Sequence, residues 1–356
     1  MNPNPKIISI GFAVPERSYT QDEVFAALRY PGHFKSIFTG AAIEKRHFWV
    51  PLGGEHSWQE CCEEYERGAK FLTEEVVTAS LDGREAKDIG GVAFASCTGY
   101  QCPGIMHRLT RKLGLSPYVA YTNILGHGCE GGFPALMRAY DRSCVTGEPS
   151  LAISCEICST CYFPEDGANP DPTRDYELLR ANAIFGDGAS AALVGFDDDP
   201  RHPYIIDFEN YFDPANMEHL GFLWQDGRLR CLLTRQVPKI VPGLVRVVLE
   251  RILQRNNLGV EDISWWVIHP GGKAVLDNVR DDLGLPEEKL TLSREALRLY
   301  GNCSSASIGI VGKLLMYQTV RSGEWGLVIS LGAGLAVGAT LLKWGAFPSK
   351  PKTPLF

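Results

Sequence analysis

The chain has 356 residues, 45% of them hydrophobic and 22% charged, with a formal net charge of -7. That length suits two domains or one large double one, and the acidic balance with scattered Lys and Arg argues against nucleic acid or an anionic membrane as main partner. No apolar run reaches membrane-spanning length and Met1 to Lys6 does not read as a secretory signal, so a cytoplasmic protein with its 11 cysteines reduced is expected.

In chain order, Lys6 to Val14 reads as a short apolar strand closed by Pro15. Thr20 to Glu23 spells a capping box, so a helix starts there and runs through Leu28. Ser57 to Leu81 is a long amphipathic helix. Gly90 to Ser96 is a buried strand, and a basic helix follows over His107 to Leu113. The stretch GHGCEGG, from Gly126, holds Cys129 among glycines ahead of an apolar helical pattern at Phe133, Leu136, Met137 and Tyr140. A thiol at a helix start sits in a field that favours thiolate. The same stretch reads equally as a small cysteine in a packing turn.

Ser150 to Ser154 is a strand, Phe163 to Arg174 a polar loop, and Ala189 to Gly195 another strand, with Asp197 to Pro200 closing the first half. The second half opens with Tyr204 to Asp213 and a hairpin around Asp226-Gly227. A helix is expected from about Pro242 to Arg255, a strand over Ser264 to His269, and a helix over Ala274 to Leu283. Tyr300 to Ser305 opens a further helix through Leu315, and the strands Gly326 to Ser330 and Ala336 to Trp344 end the fold. Cys155, Cys158 and Cys161 show a C-x-x-C-x-x-C spacing that iron–sulfur sites use. Their flanks read instead as a buried strand entering a substrate loop without a fourth ligand, so no metal is expected.

The two halves repeat. GGVAFAS begins at 90 and SWWVIHP at 264, and GHGCEGG begins at 126 and YGNCSSA at 300, both 174 residues apart. SLAISCE at 150 and GLVISLG at 326 lie 176 apart, and GASAALVG at 188 and AVGATLLK at 336 lie 148 apart, which places an insertion between roughly 158 and 187. Duplicated α/β units are implied. The repeat puts Cys129 and Asn302 at equivalent helix starts, with His269 ending the strand before the Asn302 helix. Strand ends and helix starts are where α/β folds place their chemistry.

GCEGG around Cys129, FGDG at Phe185 to Gly188, VIHPGG around His269 and YGNCSSAS around Asn302 resemble the thiolase superfamily and, within it, the type III polyketide synthases typified by chalcone synthase. The Cys-to-His and His-to-Asn gaps are 140 and 33 residues. The resemblance implies an α/β, thiolase-like αβαβα layered fold made of two duplicated halves, 1–200 carrying the nucleophile and 201–356 carrying His and Asn. It implies iterative decarboxylative condensation of malonyl-CoA onto an acyl-CoA or malonyl-derived starter, then cyclisation to a resorcinol- or pyrone-type product. CoA thioesters are substrates in that reaction, and no cofactor is required.

Carried over, Cys129 accepts the acyl group, His269 holds the thiolate as an ion pair, and His269 and Asn302 polarise the malonyl carbonyl. Phe185 matches an aromatic gate, while Cys231 stands where a second aromatic gate is expected. Cys158, Cys161 and Ser304 match the substrate pocket, and Cys102 matches a position that reaches into the partner's pocket in a homodimer. Leu331, Gly332 and Ala333 match the cyclisation loop, with Ala333 in place of Pro. Lys45 and Arg46 are the expected CoA contacts, beside Glu44 where a Lys is usual; solvent exposure is their other reading. SYTQDEV, FTGAAIEKRHF and WWVIHPGGKAVLDNV look closest to the bacterial branch that includes 3,5-dihydroxyphenylacetyl-CoA synthases. Two other readings remain at this stage: a single-condensation enzyme of the ketoacyl synthase III type fed by acyl carrier protein, and a non-catalytic thioester-binding subunit.

Overall fold

The computed structural model describes residues 4–53, 56–161, 175–225 and 228–345. The polar loop expected at Phe163 to Arg174, the Asp226-Gly227 turn and the tail after Ala346 lie outside these residues.

Nine strands are ordered so that two similar sets meet edge to edge. In the first set Lys6–Ala13 pairs antiparallel with Gly188–Gly195, which pairs antiparallel with Ser150–Glu156. The latter is parallel to Gly91–Ala95, and Gly91–Ala95 is parallel to Ala120–Ile124. In the second set Tyr204–Phe212 pairs antiparallel with Ala336–Lys343, which pairs antiparallel with Trp325–Gly332. That strand is parallel to Ile263–Ile268. Ladder by ladder the second set repeats the first, lacking only an outer strand. The sets join through a single register pair, Lys6 with Tyr204.

Period-2 alternation sorts the strand side chains into layers. Leu151 and Ile153, with Val92, Phe94 and Leu193, meet Leu72, Val76 and Met106 of the helices Trp58–Ser80 and Ile105–Leu113. On the other outer face Trp266, Ile268 and Leu327 pack on Val245, Leu249 and Leu276 of the helices Val237–Arg255 and Lys273–Leu283. Between the two sets lie Gly132–Thr146 and Ser307–Met316, whose Ala135, Ala139, Ile310 and Val311 touch Ala93, Ala95, Val267 and Val328. The result is helix, sheet, helix, sheet, helix, as the duplicated motifs imply.

Several bounds differ from the sequence reading for physical reasons. The helix expected from Pro242 begins at Val237. Pro238 is tolerated in its first turn. Pro242 has no N–H to give the Pro238 carbonyl, and the Asn278 side-chain amide donates to that oxygen instead, at 2.8 Å. The strand Ala120–Ile124 escaped sequence reading because it is a half-exposed edge without apolar alternation. Asp175–Ile184 and Thr291–Tyr300 are helices that no periodicity signal had singled out.

Candidate active site

Cys129 lies in a single 3-10 turn, Gly128–Gly131, that runs straight into Gly132–Thr146. Gly128 has φ +56°, and a Cβ there would stand 3.0 Å from the Ala333 Cβ. A Cβ on Gly332 would stand 2.4 Å from that of Glu130. The loop 331–334 therefore closes directly over the cysteine turn, and only glycine fits at these two contacts.

In the other half, Ser304–Ala306 is the equivalent 3-10 turn ahead of Ser307–Met316. Asn302 precedes it, and its side-chain oxygen is occupied. The Ser304 backbone N–H donates to Asn302 Oδ1 at 2.8 Å and the Ser307 hydroxyl donates to it at 3.4 Å. With its acceptor end pinned, the amide presents its NH₂ group to the Cys129 thiol, which also has the Ser304 hydroxyl as a partner. His269 follows the strand Ile263–Ile268, and its backbone N–H donates to the Ile329 carbonyl at 2.9 Å. A Cβ on Gly271 would lie 3.3 Å from the imidazole Cδ2, so the glycine of HPGG leaves room for the ring.

All three side chains are buried. Burial, which disfavours charge, pushes the Cys129 thiol up to about 12 against the hydrogen bonds from Ser304 and Asn302 that favour thiolate. Burial also pulls the His269 imidazole down to about 3. His269 Nδ1 is buried and has no hydrogen-bond partner among the described residues, so no carboxylate there raises the ring's basicity. The resting pair that this environment favours is neutral thiol and neutral imidazole.

Cys129, His269, Asn302 and Phe185 line one cavity of about 380 Å³, together with Leu331 and Gly332. Arg180, Arg235 and Lys273 line it as well. A second cavity, of about 950 Å³, lies across the loop and is lined by Cys97, Thr98, Gly128, Cys161, Phe222 and Ala333. Between them Cys129, Cys158, Cys161, Phe185 and Cys231 pack into one apolar cluster with Leu178 and Ala181. Phe185 is tied to the asparagine by backbone: the Asn302 N–H donates to the Ile184 carbonyl at 2.9 Å and the Gly186 N–H to the Asn302 carbonyl at 3.0 Å.

Phe185, Cys161, Leu331, Gly332 and Ala333 line the cavities, whereas Cys158 and Cys231 join the cluster without lining either one. Cys231 lacks an aromatic ring, but Phe222 sits directly opposite it across the hairpin and packs into the same cluster. The Cys155 thiol turns to the outer layer and the Ala69 carbonyl, away from Cys158 and Cys161, so the three do not converge. Cys102 is exposed, outside the pocket of its own chain.

Arg46 corrects the sequence reading. It is 1% exposed, and its guanidinium donates at 2.7 Å to both the Asn182 and Phe185 carbonyls. A group so enclosed is a clamp on the gate segment and not a surface contact for CoA. Lys45 is half-buried on the short strand Lys45–His47 and lines neither catalytic cavity.

Sequence reasoning also passed over Cys97 and Glu156. The buried Glu156 carboxylate accepts from the Cys97 and Thr98 backbone N–H groups at 3.0 and 3.1 Å, and from the Thr98 and Ser305 hydroxyls. Cys97 Sγ lies 3.5 Å from Ser304 Oγ, whose hydroxyl is also a partner of the Cys129 thiol. Their positions in separate motifs carried no local signal; only the fold joins them.

The chain matches the models of the chalcone and stilbene synthases, N-terminal domain over residues 69–198 and C-terminal domain over residues 212–344. It belongs to the chalcone and stilbene synthase family. A 3,5-dihydroxyphenylacetyl-CoA synthase of Streptomyces toyocaensis is 28% identical, over 96% of this chain and 90% of the relative. A protein named as a putative chalcone synthase from Bacillus subtilis is 30% identical, over 95% and 98%. Among solved structures, the 1,3,6,8-tetrahydroxynaphthalene synthase of Streptomyces coelicolor superposes with a TM-score of 0.87 at 24% identity, covering 96% of this chain and 99% of that one. As a member of this family the chain is a type III polyketide synthase, an acyltransferase-type condensing enzyme.

Proposed function

We propose that this synthase loads an acyl group on Cys129 and extends it with malonyl units, and that Cys129, His269 and Asn302 carry both steps. One observation supports the assignment above others: the three side chains, from two repeats, line the same cavity with Phe185. In loading, the Cys129 proton passes to His269 Nε2 as sulfur attacks the thioester carbonyl; the ring keeps Nε2–H and releases its Nδ1 proton, and the departing CoA thiolate takes a proton from solvent. In extension, the malonyl thioester oxygen accepts from His269 Nε2–H and from the Asn302 amide. Carbon dioxide leaves, the enolate attacks the acyl carbon, the bond to Cys129 sulfur breaks with the thiolate taking a proton from solvent, and the lengthened chain departs on CoA. Both donors are neutral in this environment, so they stabilise the enolate without protonating it.

Arg180, Arg235 and Lys273 are the cations placed to meet CoA phosphates, and Lys45 takes at most an outlying role. The second cavity would hold the growing chain, with Phe222, Leu229 and Cys161 shaping its wall. The synthase works on free CoA thioesters without an added cofactor, as a cytoplasmic homodimer in which Cys102 reaches the partner's pocket. Among the described residues no helix is long and apolar enough to cross a membrane.

Incubation with malonyl-CoA alone, and with acyl-CoAs from acetyl to long-chain, tests the reading by product mass spectrometry. Release of CoA and CO₂ with a resorcinol- or pyrone-type product is expected. No turnover with any starter, or turnover only with acyl carrier protein and a single extension, would displace it in favour of a ketoacyl synthase III-type reaction. Sedimentation velocity at micromolar concentration should show a dimer.

A further inference from the structure

A third cavity, of about 600 Å³, lies in the central layer and shares no lining residue with the two catalytic cavities. Its walls include Ile10, Leu136, Ala152, Ala192, Val328 and Leu342. It extends alongside Ser307–Met316, from Ser305 and Gly132 behind the cysteine turn to Lys313 and Tyr317 near the far end. A helix of 10 residues is about 15 Å long, so the cavity follows it over roughly that distance.

Small side chains create it. Along Ser150–Glu156, Leu151 and Ile153 face the outer layer at 0% exposure, whereas Ala152 faces the channel at 8%. Ala192, on the neighbouring strand, also lines the channel and is half-buried.

The rim is charged, and its charges are not equally free. Arg201 is paired with Asp199, His202 with Asp197, and Asp82 with Arg84. Lys313 rests 5.1 Å above the Tyr317 ring and has no carboxylate partner among the described residues. A channel walled mainly by aliphatic side chains, with the Ser154 and Ser305 hydroxyl residues at its inner end and one uncompensated ammonium at its rim, matches a linear chain with an anionic head.

We propose that this channel binds a free fatty acid, its alkyl chain between the two central helices and its carboxylate on Lys313. The site is separate from the acyl-carrying cysteine, and its occupancy does not depend on the condensing reaction.

Dodecanoate titrated into the purified synthase by calorimetry tests the assignment, with Ala192→Leu to fill the channel and Lys313→Glu to reverse the rim charge. Saturable binding at one site is expected, lost in A192L and weakened at least about tenfold in K313E. Malonyl-CoA turnover should be retained in both variants. If A192L fails to fold, K313E and a comparison of dodecanoate with dodecanol still decide. Absence of binding, equal affinity for the alcohol, or binding that both variants leave unchanged would overturn the proposal.

Discussion

Asn302 owes its role to what holds its oxygen. Ser304 N–H and the Ser307 hydroxyl occupy Oδ1, so the donor end is the one left for chemistry. Loss of a fixed donor to a developing oxyanion costs about 3–4 kcal/mol. Asn302→Ala should therefore slow malonyl-CoA decarboxylation by roughly two to three orders of magnitude, read as CO₂ release, with the fold intact by circular dichroism. His269 carries a pH signature. Its folded value is about 3 against 6.5 for the free group, so the folded state favours the neutral ring. That contribution is present above pH 6.5 and is lost as pH falls from 6.5 towards 3. Urea unfolding should show stability falling with acid by at most ~1.4 kcal/mol per pH unit from this group, and His269→Gln should remove that part of the slope. Cys129, His269 and Asn302, which line one cavity, were legible in the sequence because each sits in a short glycine-marked motif at a fixed spacing. Cys97 and Glu156 were not, since their meeting with Ser304 and Ser305 needs the two halves assembled.

At the scale of elements, the gate segment 182–186 is held from two sides. Its backbone bridges to Asn302, and Arg46 clamps the Asn182 and Phe185 carbonyls from behind. The sequence offered Arg46 as a CoA contact or an exposed surface residue, and no spacing rule distinguishes either from a buried clamp. Replacing it leaves buried acceptors without donors, each costing about 1–3 kcal/mol. Arg46→Met should lower the denaturant midpoint by the equivalent of about 2–4 kcal/mol while changing the KM for malonyl-CoA less than Lys273→Glu does. Contrary results, a native-like midpoint with a sharply raised KM, would return Arg46 to the CoA contacts. The hairpin gives the opposite lesson. Its Cys231 was legible as a missing ring, but the compensating Phe222 depends on cross-strand register, which becomes visible only once the strands pair.

For the whole molecule, duplication organises everything else. The paired offsets near 174 residues correspond to strands with the same neighbours in each set, and to two central helices that each follow a 3-10 turn, one holding Cys129 and the other preceded by Asn302. Burial on both faces made those strands readable as apolar runs. Ala120–Ile124, with exposed and half-buried positions along its length, offered no such run. The same architecture places the thiol from one half against the amide of the other, with the imidazole lining the same cavity, and this is the arrangement that the proposed loading step uses. Intact-mass and peptide mass spectrometry after brief incubation with an acyl-CoA starter tests it most directly. The account predicts one acyl adduct per chain, on the peptide carrying Cys129, absent in Cys129→Ala and accompanied by loss of product. An adduct confined to another of the cysteines, or full product formation by Cys129→Ala, would contradict it.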